Sequence, residues 1–541
     1  MVRQRDEEFD VIVLGSGIAG LSTALAAQRQ GLKTLLLENQ AKLGGGTTHS
    51  WGLIWVGTNH LAKAEGVVDP REEVLEYMRF LSGGQAVAEN MERFIDAAPG
   101  ALKFFERCGI RFRLVKGVAD HYWGMTPSAR DGGRSLEAEL ISGHVLGKWR
   151  SKLLRPHVAP SCISAEELVK WGGFSNLSHW DARTIAERKA QDMQGLGLGL
   201  VTSFLEQVLK AGVDVRTRQR TTELLVSDGN VTGVMLSTGR AIRARKGVVL
   251  ATGGYEANPE MVSNLEGLPG WHSIFPQVVK GDGLVLGSSV GGALHVIQNS
   301  LQMMLGFQVP VEGDWKKYEF WSCGIIEQFC PHTLVVNRAG KRFADETYFQ
   351  HMAPKFREFD VAQHRHVNLP CYLLFDQNFA DRFSFAGQPL GTPIPDWVQR
   401  ADTPAGLATM LGVDPAGLVQ TFARFNADVA MGRDSEFHRG EAKWSLSHDK
   451  GNAQPQRLGA LDKGPFYGIE AKPAAGSAAG LLTNRNAQVL RYDRKPIAGL
   501  YALGNTAARI EFGVGYQAGY TLASGMTFGL VSARHMKRRR I

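Results

Sequence analysis

Residues 10–52 read DVIVLGSGIAGLSTALAAQRQGLKTLLLENQAKLGGGTTHSWG. Residues 11–14 form a short aliphatic, β-branched run of the kind that fills a buried parallel strand. Gly15, Gly17 and Gly20 follow with GxGxxG spacing and are expected cofactor contacts. The first glycine permits a tight turn, the second lets a pyrophosphate reach bare backbone, and the third lets the next helix close on the strand. A helix is expected over residues 19–30, presenting its amide end to phosphate, with Gly31 as its stop. Residues 34–37 make a second strand, and Glu38 at its end is placed to take ribose hydroxyls. Strand, glycines, helix, strand and acid in this order predict a dinucleotide site. A glycine-rich turn in an unrelated α/β protein would not need the acid.

The segment beyond Glu38 decides which dinucleotide. Residues 43–48, LGGGTT, offer bare backbone and small hydroxyls. An NAD site has no use for them. The longer FAD, whose flavin end must lie along the protein, can bond its ribityl chain and ring edge there. Gly45, Gly46, Thr47, Thr48, Ser50 and Gly52 are therefore expected cofactor contacts. Residues 247–254, GVVLATGG, read as a strand ending in small residues that passes under the pyrophosphate, with Ala251, Thr252 and Gly253 at its tip. Residues 499–505, GLYALGN, read as another strand followed by a glycine, giving Gly504 and Asn505. One nucleotide fold is thus built from both ends of the sequence.

These motifs resemble the flavoprotein family of fumarate reductases, succinate dehydrogenase flavoprotein subunits and 3-ketosteroid dehydrogenases, and most of all the last branch. The resemblance rests on GSGIAG, GGGTTHSWGLIW, VVLATGGY, KGDGLVLG, VVNRAGKRFADE, GLLTN and GLYALGNTAA, which span nearly the whole chain in the family's order. It implies an α/β Rossmann-like FAD-binding domain interrupted by an inserted α+β substrate-covering domain. The parts fall at residues 1–297 for the first FAD-binding segment, 298–452 for the cap and 453–541 for the second FAD-binding segment. Residues 284–294 would form the last helix before the insert, and VVNRAGKRFADE a hairpin turning at Arg338, Ala339 and Gly340. The resemblance adds Ile18, Ala19, Asn39 and Asp282 to the cofactor contacts, and Gly519, Thr521 and Leu522 near the C-terminus. Some relatives attach FAD through histidine. Their attached position falls near Gly45 and not on His49, so non-covalent FAD is expected. No metal site is expected.

The bulk properties agree. The chain has 541 residues, enough for about three or four domains, fewer if one interrupts another. Apolar content of 44% and charge of 21% are ordinary for a globular protein. Net charge is a mild +8, part of it in the tail HMKRRRI. That tail is read as a solvated end, with peripheral contact to an acidic lipid surface as its alternative; no nucleic-acid partner is expected. Cys108, Cys162, Cys323, Cys330 and Cys371 form no CxxC pair, which fits a reducing compartment. The start MVRQRDEEFD lacks an apolar core, and no uncharged apolar run approaches the ~18 residues of a membrane span. A cytoplasmic protein without a transmembrane segment is expected. No second GxGxxG follows a strand, so the external electron acceptor is expected to be a quinone, a carrier protein or oxygen rather than bound NAD.

Catalytic candidates fall where the family keeps them. Fumarate reductases carry a proton-donating arginine four residues beyond the glutamate of the RFADE motif. Here that position is Gln350, with Tyr348 and His351 on either side. Residues 511–522, EFGVGYQAGYTL, resemble the segment that polarises the ketone in steroid dehydrogenases, which makes Tyr516 the first candidate and Tyr520 another. Residues 120–123, DHYW, stand before a GGR turn as in those enzymes, which adds Tyr122. Trp51, Trp55, Trp123, Phe320, Trp321 and Phe349 fall in segments the family places around the flavin or its cover, as an apolar ligand would need. The expected activity is FAD-dependent desaturation of a cyclic ketone, 3-ketosteroid-like, at the 1,2 or 4,5 position. An α-proton would go to a tyrosine or His351 and a β-hydride to FAD. The alternative is an enoate or enone reductase of the fumarate reductase type; a flavin-holding subunit of a larger complex is a third reading.

Overall fold

The aliphatic run that opens the chain makes the strand Glu7–Leu14, with Val11, Ile12 and Val13 fully buried. It lies between two parallel neighbours, Ala241–Leu250 and Thr34–Leu37. Asp214–Arg216 continues the sheet on one side and Pro496–Ala502 on the other, both parallel. Gln488–Leu490 closes one edge, and the antiparallel pair Thr221–Ser227 and Asn230–Leu236 joins Ala241–Leu250. The structure, a computed structural model, describes residues 7–156, 161–268, 270, 273, 276–311, 314–322, 326–447, 457–474, 476 and 478–540.

Helix Ile18–Arg29 packs against helix Tyr520–Arg538 through small residues. A Cβ on Gly525 would lie 3.1 Å from the Ala19 Cβ, and one on Gly529 would lie 2.5 Å from Ser22 Oγ. Ser22 Oγ also donates to the Gly525 carbonyl at 3.3 Å. Backbone approach this close fixes the last helix on the first.

A second sheet is antiparallel throughout. Its order is Asp314–Ser322, Met304–Val311, Phe466–Ala474, Cys371–Asp376, Thr333–Asn337, with Gln399–Ala401 also paired to Phe466–Ala474. Phe307, Phe375, Phe379, Phe385 and Tyr467 share one apolar cluster. Helices Pro404–Leu411 and Pro415–Ala430 supply Leu407, Leu418, Phe422 and Phe425 to another, with Leu334, Val336 and Leu374 of the sheet. A mixed α/β fold results. Among the described residues no helix is long and apolar enough to cross a membrane. Cys108, Cys162, Cys330 and Cys371 are free and buried, and Cys323 lies outside the described residues.

Three expectations change. Arg338, Ala339 and Gly340 do turn, with Gly340 N donating to the Asn337 carbonyl at 2.9 Å. The residues after them form no hairpin strand, however, and Thr333–Asn337 pairs with Cys371–Asp376. The reason is Arg342, which is drawn inward to Glu346 at 2.8 Å and to Asp434 at 2.8 Å. Arg439 reaches the same Glu346 at 2.9 Å, and all four side chains are buried. Burial pushes the Glu346 carboxyl up, but the two guanidinium groups outweigh it and hold the carboxyl below its usual range. The expected helix over residues 284–294 is Asp282–Ser289; it breaks before Gly291, at φ 89°, and strand Leu294–Val296 follows. The expected crossing at 452 and 453 lies outside the described residues. The strand Phe466–Ala474 beyond it belongs to the antiparallel sheet, because it pairs there on both sides.

Candidate active site

A cavity of about 560 Å³ is lined by residues from both sheets. One end lies over the carboxyl ends of the parallel strands, where ligands of open α/β sheets bind. Gly15, Gly17, Ile18 and Ala19 line it, with Glu38 and Asn39, then Ala251, Thr252 and Gly253, then Gly504 and Asn505. Gly15 has φ 103°, and a Cβ there would sit 2.3 Å from the Ala251 carbonyl oxygen. Gly20, also expected as a contact, does not line the cavity: a Cβ there would lie 1.9 Å from the Gly15 oxygen, so it serves the packing of helix on strand. Glu38 accepts from Ser16 N at 3.1 Å and Gln40 N at 2.9 Å, and burial pushes its carboxyl up. Gln40, Gln219 and Thr221 line the same end and were not anticipated; their segments carry no motif.

The glycine platform sits beside this. Gly44, at φ 116°, leads into the tight turn Gly45–His49. Thr47 Oγ1 accepts from Ile18 N at 3.0 Å and Ser16 Oγ accepts from Gly44 N at 3.0 Å, which locks the platform to the first helix. Gly45, Gly46, Thr47, Thr48, His49, Ser50 and Gly52 all line the cavity, as does Asp282, whose Oδ2 accepts from Asn39 at 3.2 Å. A Cβ on Gly17 would meet nothing nearer than 3.4 Å and one on Gly45 nothing nearer than 3.9 Å. These two glycines therefore face the open cradle, and side chains there would fill it. The residues present fit a long dinucleotide.

The other end is apolar with a few polar groups. Trp51, Phe174, Trp321, Ile326 and Trp444 line it, with His121, Tyr516, Gln517 and Ala518. Helix Tyr520–Arg538 begins there from the left-handed Gly519, φ 83°, and Gly519, Thr521 and Leu522 line the cavity. A Cβ on Gly519 would be 2.8 Å from Trp55 N, so the helix start is pressed against residues 53–55. The loop carrying His121 is anchored by buried Asp120, which accepts from Trp55 Nε1 at 2.8 Å and Arg134 Nη1 at 2.7 Å. Gln517 Oε1 accepts from His121 N at 3.0 Å and from the Tyr77 hydroxyl at 2.6 Å.

Of the five catalytic candidates, Tyr516 alone lines the cavity. Burial pushes its phenol up, opposed by Arg509. Tyr122 stands behind it, accepting from Tyr516 N at 3.4 Å, and burial pushes it up to about 12. The Tyr348 hydroxyl donates to the His121 carbonyl at 3.0 Å; burial raises it too. Tyr520 is packed between Phe94 and Phe512, with ring centroids at 5.2 and 3.8 Å, and burial raises it well above the usual tyrosine range. His351 packs edge-on against Tyr348 at 4.8 Å, and burial lowers its pKa. His121, which sequence reasoning passed over, does line the cavity. Its signal was the DHYW segment, read only for its tyrosine. Trp51 and Trp321 of the expected aromatics face the cavity, Trp55 and Trp123 do not, and the side chains of Phe320 and Phe349 lie outside the described ones.

Residues 10–525 match the FAD binding domain family. The chain is 32% identical over 542 residues to 4-oxocyclohexanecarboxylate 2-dehydrogenase of Sinomonas cyclohexanicum, covering 97% of this chain and 92% of that protein. It is 30% identical over 562 residues to 3-oxosteroid 1-dehydrogenase of Mycolicibacterium smegmatis, covering 97% of each. Its fold is like that of the 3-ketosteroid delta1-dehydrogenase from Sterolibacterium denitrificans, with a TM-score of 0.86 at 24% identity over 98% of this chain and 99% of that one. The cradle and these likenesses lead to one conclusion: the chain belongs to the FAD binding domain family, and FAD is its cofactor.

Proposed function

We propose that this protein is an FAD-dependent dehydrogenase that desaturates a cyclic ketone at a CH–CH bond; its relatives are named a 4-oxocyclohexanecarboxylate 2-dehydrogenase and a 3-oxosteroid 1-dehydrogenase. The observation that carries this reading is the make-up of the far end of the cavity. Tyr516 meets a helix N-terminus there amid aromatic walls, and among the described residues no arginine lines the cavity. A dicarboxylate would need paired arginines, so the fumarate reductase type of reaction is disfavoured. An apolar ring with one ketone oxygen fits. In this reading the parallel sheet is a Rossmann-like FAD-binding domain and the antiparallel sheet a substrate-covering insert that begins near residue 298 and includes Phe466–Ala474.

The Tyr516 hydroxyl donates to the ketone oxygen, and the amide end at Gly519 adds positive potential beside it. Both draw electron density from the carbonyl and acidify the neighbouring C–H. The aromatic walls exclude water from that oxygen, which strengthens the bond. The FAD held at Gly15, Glu38 and Thr47 supplies the hydride acceptor for the β-carbon. Gly45 stands where an attached histidine would be expected, so the FAD is bound non-covalently, and acid precipitation releases all of the yellow colour. Turnover is completed by a quinone, a carrier protein or oxygen, in the cytoplasm.

The test is anaerobic bleaching of the flavin. Androst-4-ene-3,17-dione or 4-oxocyclohexanecarboxylate bleaches the wild-type holoenzyme and yields a new ring double bond. Tyr516→Phe keeps its FAD but bleaches about 10²- to 10³-fold more slowly, the usual loss for one carbonyl donor. Flavin that enones reoxidise rapidly, but that no saturated ketone reduces, would establish a reductase instead.

A further inference from the structure

The substrate end of the cavity needs a group to accept a proton, and the tyrosines there are poorly suited. Burial holds the Tyr516, Tyr122 and Tyr348 phenols back from ionising, and a phenol must lose its own proton before it can take another. A neutral imidazole needs no such step. His121 lines the cavity at this end. Its position is tightly fixed. Its backbone N donates to Gln517 at 3.0 Å and its carbonyl accepts from Tyr348 at 3.0 Å. Its ring stacks on Trp444 at 4.6 Å and meets Tyr516 edge-on at 4.8 Å.

The side chain that orients this ring is Gln350, whose amide lies 2.5 Å from Nδ1. Gln350 occupies the place, four residues past Glu346, where the fumarate reductases have their arginine. The buried amide oxygen Oε1 has no hydrogen-bond partner among the described residues when the amide nitrogen faces the ring. The two ends of an amide are interchangeable in outline. Turned over, Gln350 Oε1 accepts from the ring's Nδ1–H, which satisfies the oxygen and makes the His121 Nε2 the unprotonated ring nitrogen. That arrangement also holds once the ring is protonated, because Nδ1–H then still donates to Oε1.

Resting on the ketone-dehydrogenase reading above, we propose that His121 Nε2, oriented by Gln350, accepts the α-proton of the ketone while Tyr516 holds the oxygen. The α C–H bond breaks and its proton moves to Nε2. The electron pair left behind forms the new C=C bond as the β-hydride leaves to FAD. The imidazolium then gives its proton to water.

The experiment uses the FAD-loaded enzyme and two probes, androst-4-ene-3,17-dione deuterated at C2 and 4-oxocyclohexanecarboxylate deuterated beside the ketone. Bleaching is followed by stopped flow. Loss of deuterium to water is followed by NMR with photoreduced enzyme, which cannot accept hydride. In His121→Gln both rates fall at least about 100-fold, the scale of a lost general base, while FAD content and ketone binding, read from flavin absorbance, stay within about threefold. His121→Ala behaves alike, and added imidazole restores its exchange at least about tenfold. If wild-type enzyme bleaches with a probe and both variants exchange and bleach within about threefold of it, the role of His121 falls alone. If neither probe bleaches wild-type enzyme, the dehydrogenase reading falls and this proposal with it.

Discussion

The parallel and antiparallel sheets enclose one cavity but are held together by different means. Around Glu7–Leu14 the interior is aliphatic, with Val11, Ile12, Val13, Leu35 and Leu36 fully buried, and glycines set the approach of helix to strand and of strand to cofactor. In the other half, buried charge sits beside aromatic clusters: Arg342, Arg439, Glu346 and Asp434 bond one another out of contact with water. Glu327 is buried there with no cation beside it among the described residues, accepting from Trp321 Nε1 at 2.9 Å and Ala386 N at 2.9 Å. The first half tolerates no added volume at Gly15 or Gly20, where a Cβ would lie 2.3 Å and 1.9 Å from a carbonyl oxygen. The second half pairs its buried guanidinium groups with carboxylates. Each half can therefore be broken by a change the other would survive.

The largest effect is expected at Gly15. Valine there combines φ 103° with a Cβ 2.3 Å from a carbonyl oxygen, a strain without easy relief. Gly15→Val is expected to lower the FAD-to-protein absorbance ratio of purified protein more than about tenfold, or to give no soluble protein. A normally yellow, stable variant would refute the close approach. Next is Arg439→Met, which leaves the Glu346–Arg342–Asp434 group short of one cation. Breaking a buried pair costs about 3–5 kcal/mol, so chemical denaturation should show an earlier transition in this half, while the folded variant still binds FAD. A midpoint equal to wild type would mean the network carries no net stability.

The smallest effect separates two buried carboxylates. Burial raises Glu327 to about 7, with the Trp321 bond opposing, whereas Glu346 is held below its usual range. A carboxyl raised on folding stabilises when protonated. Its contribution is therefore full below pH 4.5, its unfolded value, and is lost as pH rises to about 7. A shift of this size amounts to about 3 kcal/mol. Glu327→Gln should flatten the fall in unfolding free energy across that window. An unchanged slope would show that Glu327 is already ionised when folded.

The comparison also explains what the sequence could reveal. The nucleotide half is legible because its determinants are local. Glycine spacing, a four-residue strand and one acid all lie within residues 10–52 and were placed within a residue or two. The antiparallel half depends on pairings between distant segments, so Phe466–Ala474 could not be assigned to Cys371–Asp376 from its own residues. VVNRAGKRFADE looked like a hairpin because its turn is real, but the pull of Arg342 toward Asp434 lies far along the chain. The site divides in the same way. Tyr516 was reached through the resemblance of its own segment, residues 511–522, to the steroid dehydrogenases. His121 depends on Gln350, 229 positions away, and no local pattern announces that contact.

The close fit of Gly525 and Gly529 on Ala19 and Ser22 has a consequence for biosynthesis. The opening strand and helix emerge early from the ribosome, but their neighbours Pro496–Ala502 and Tyr520–Arg538 are translated hundreds of residues later. The antiparallel half, whose strands end at Ala474, can fold while the nucleotide fold still waits for its partners. Flavin loading is then expected only once residues 496–538 have been made, and chains truncated before residue 496 are expected to be colourless.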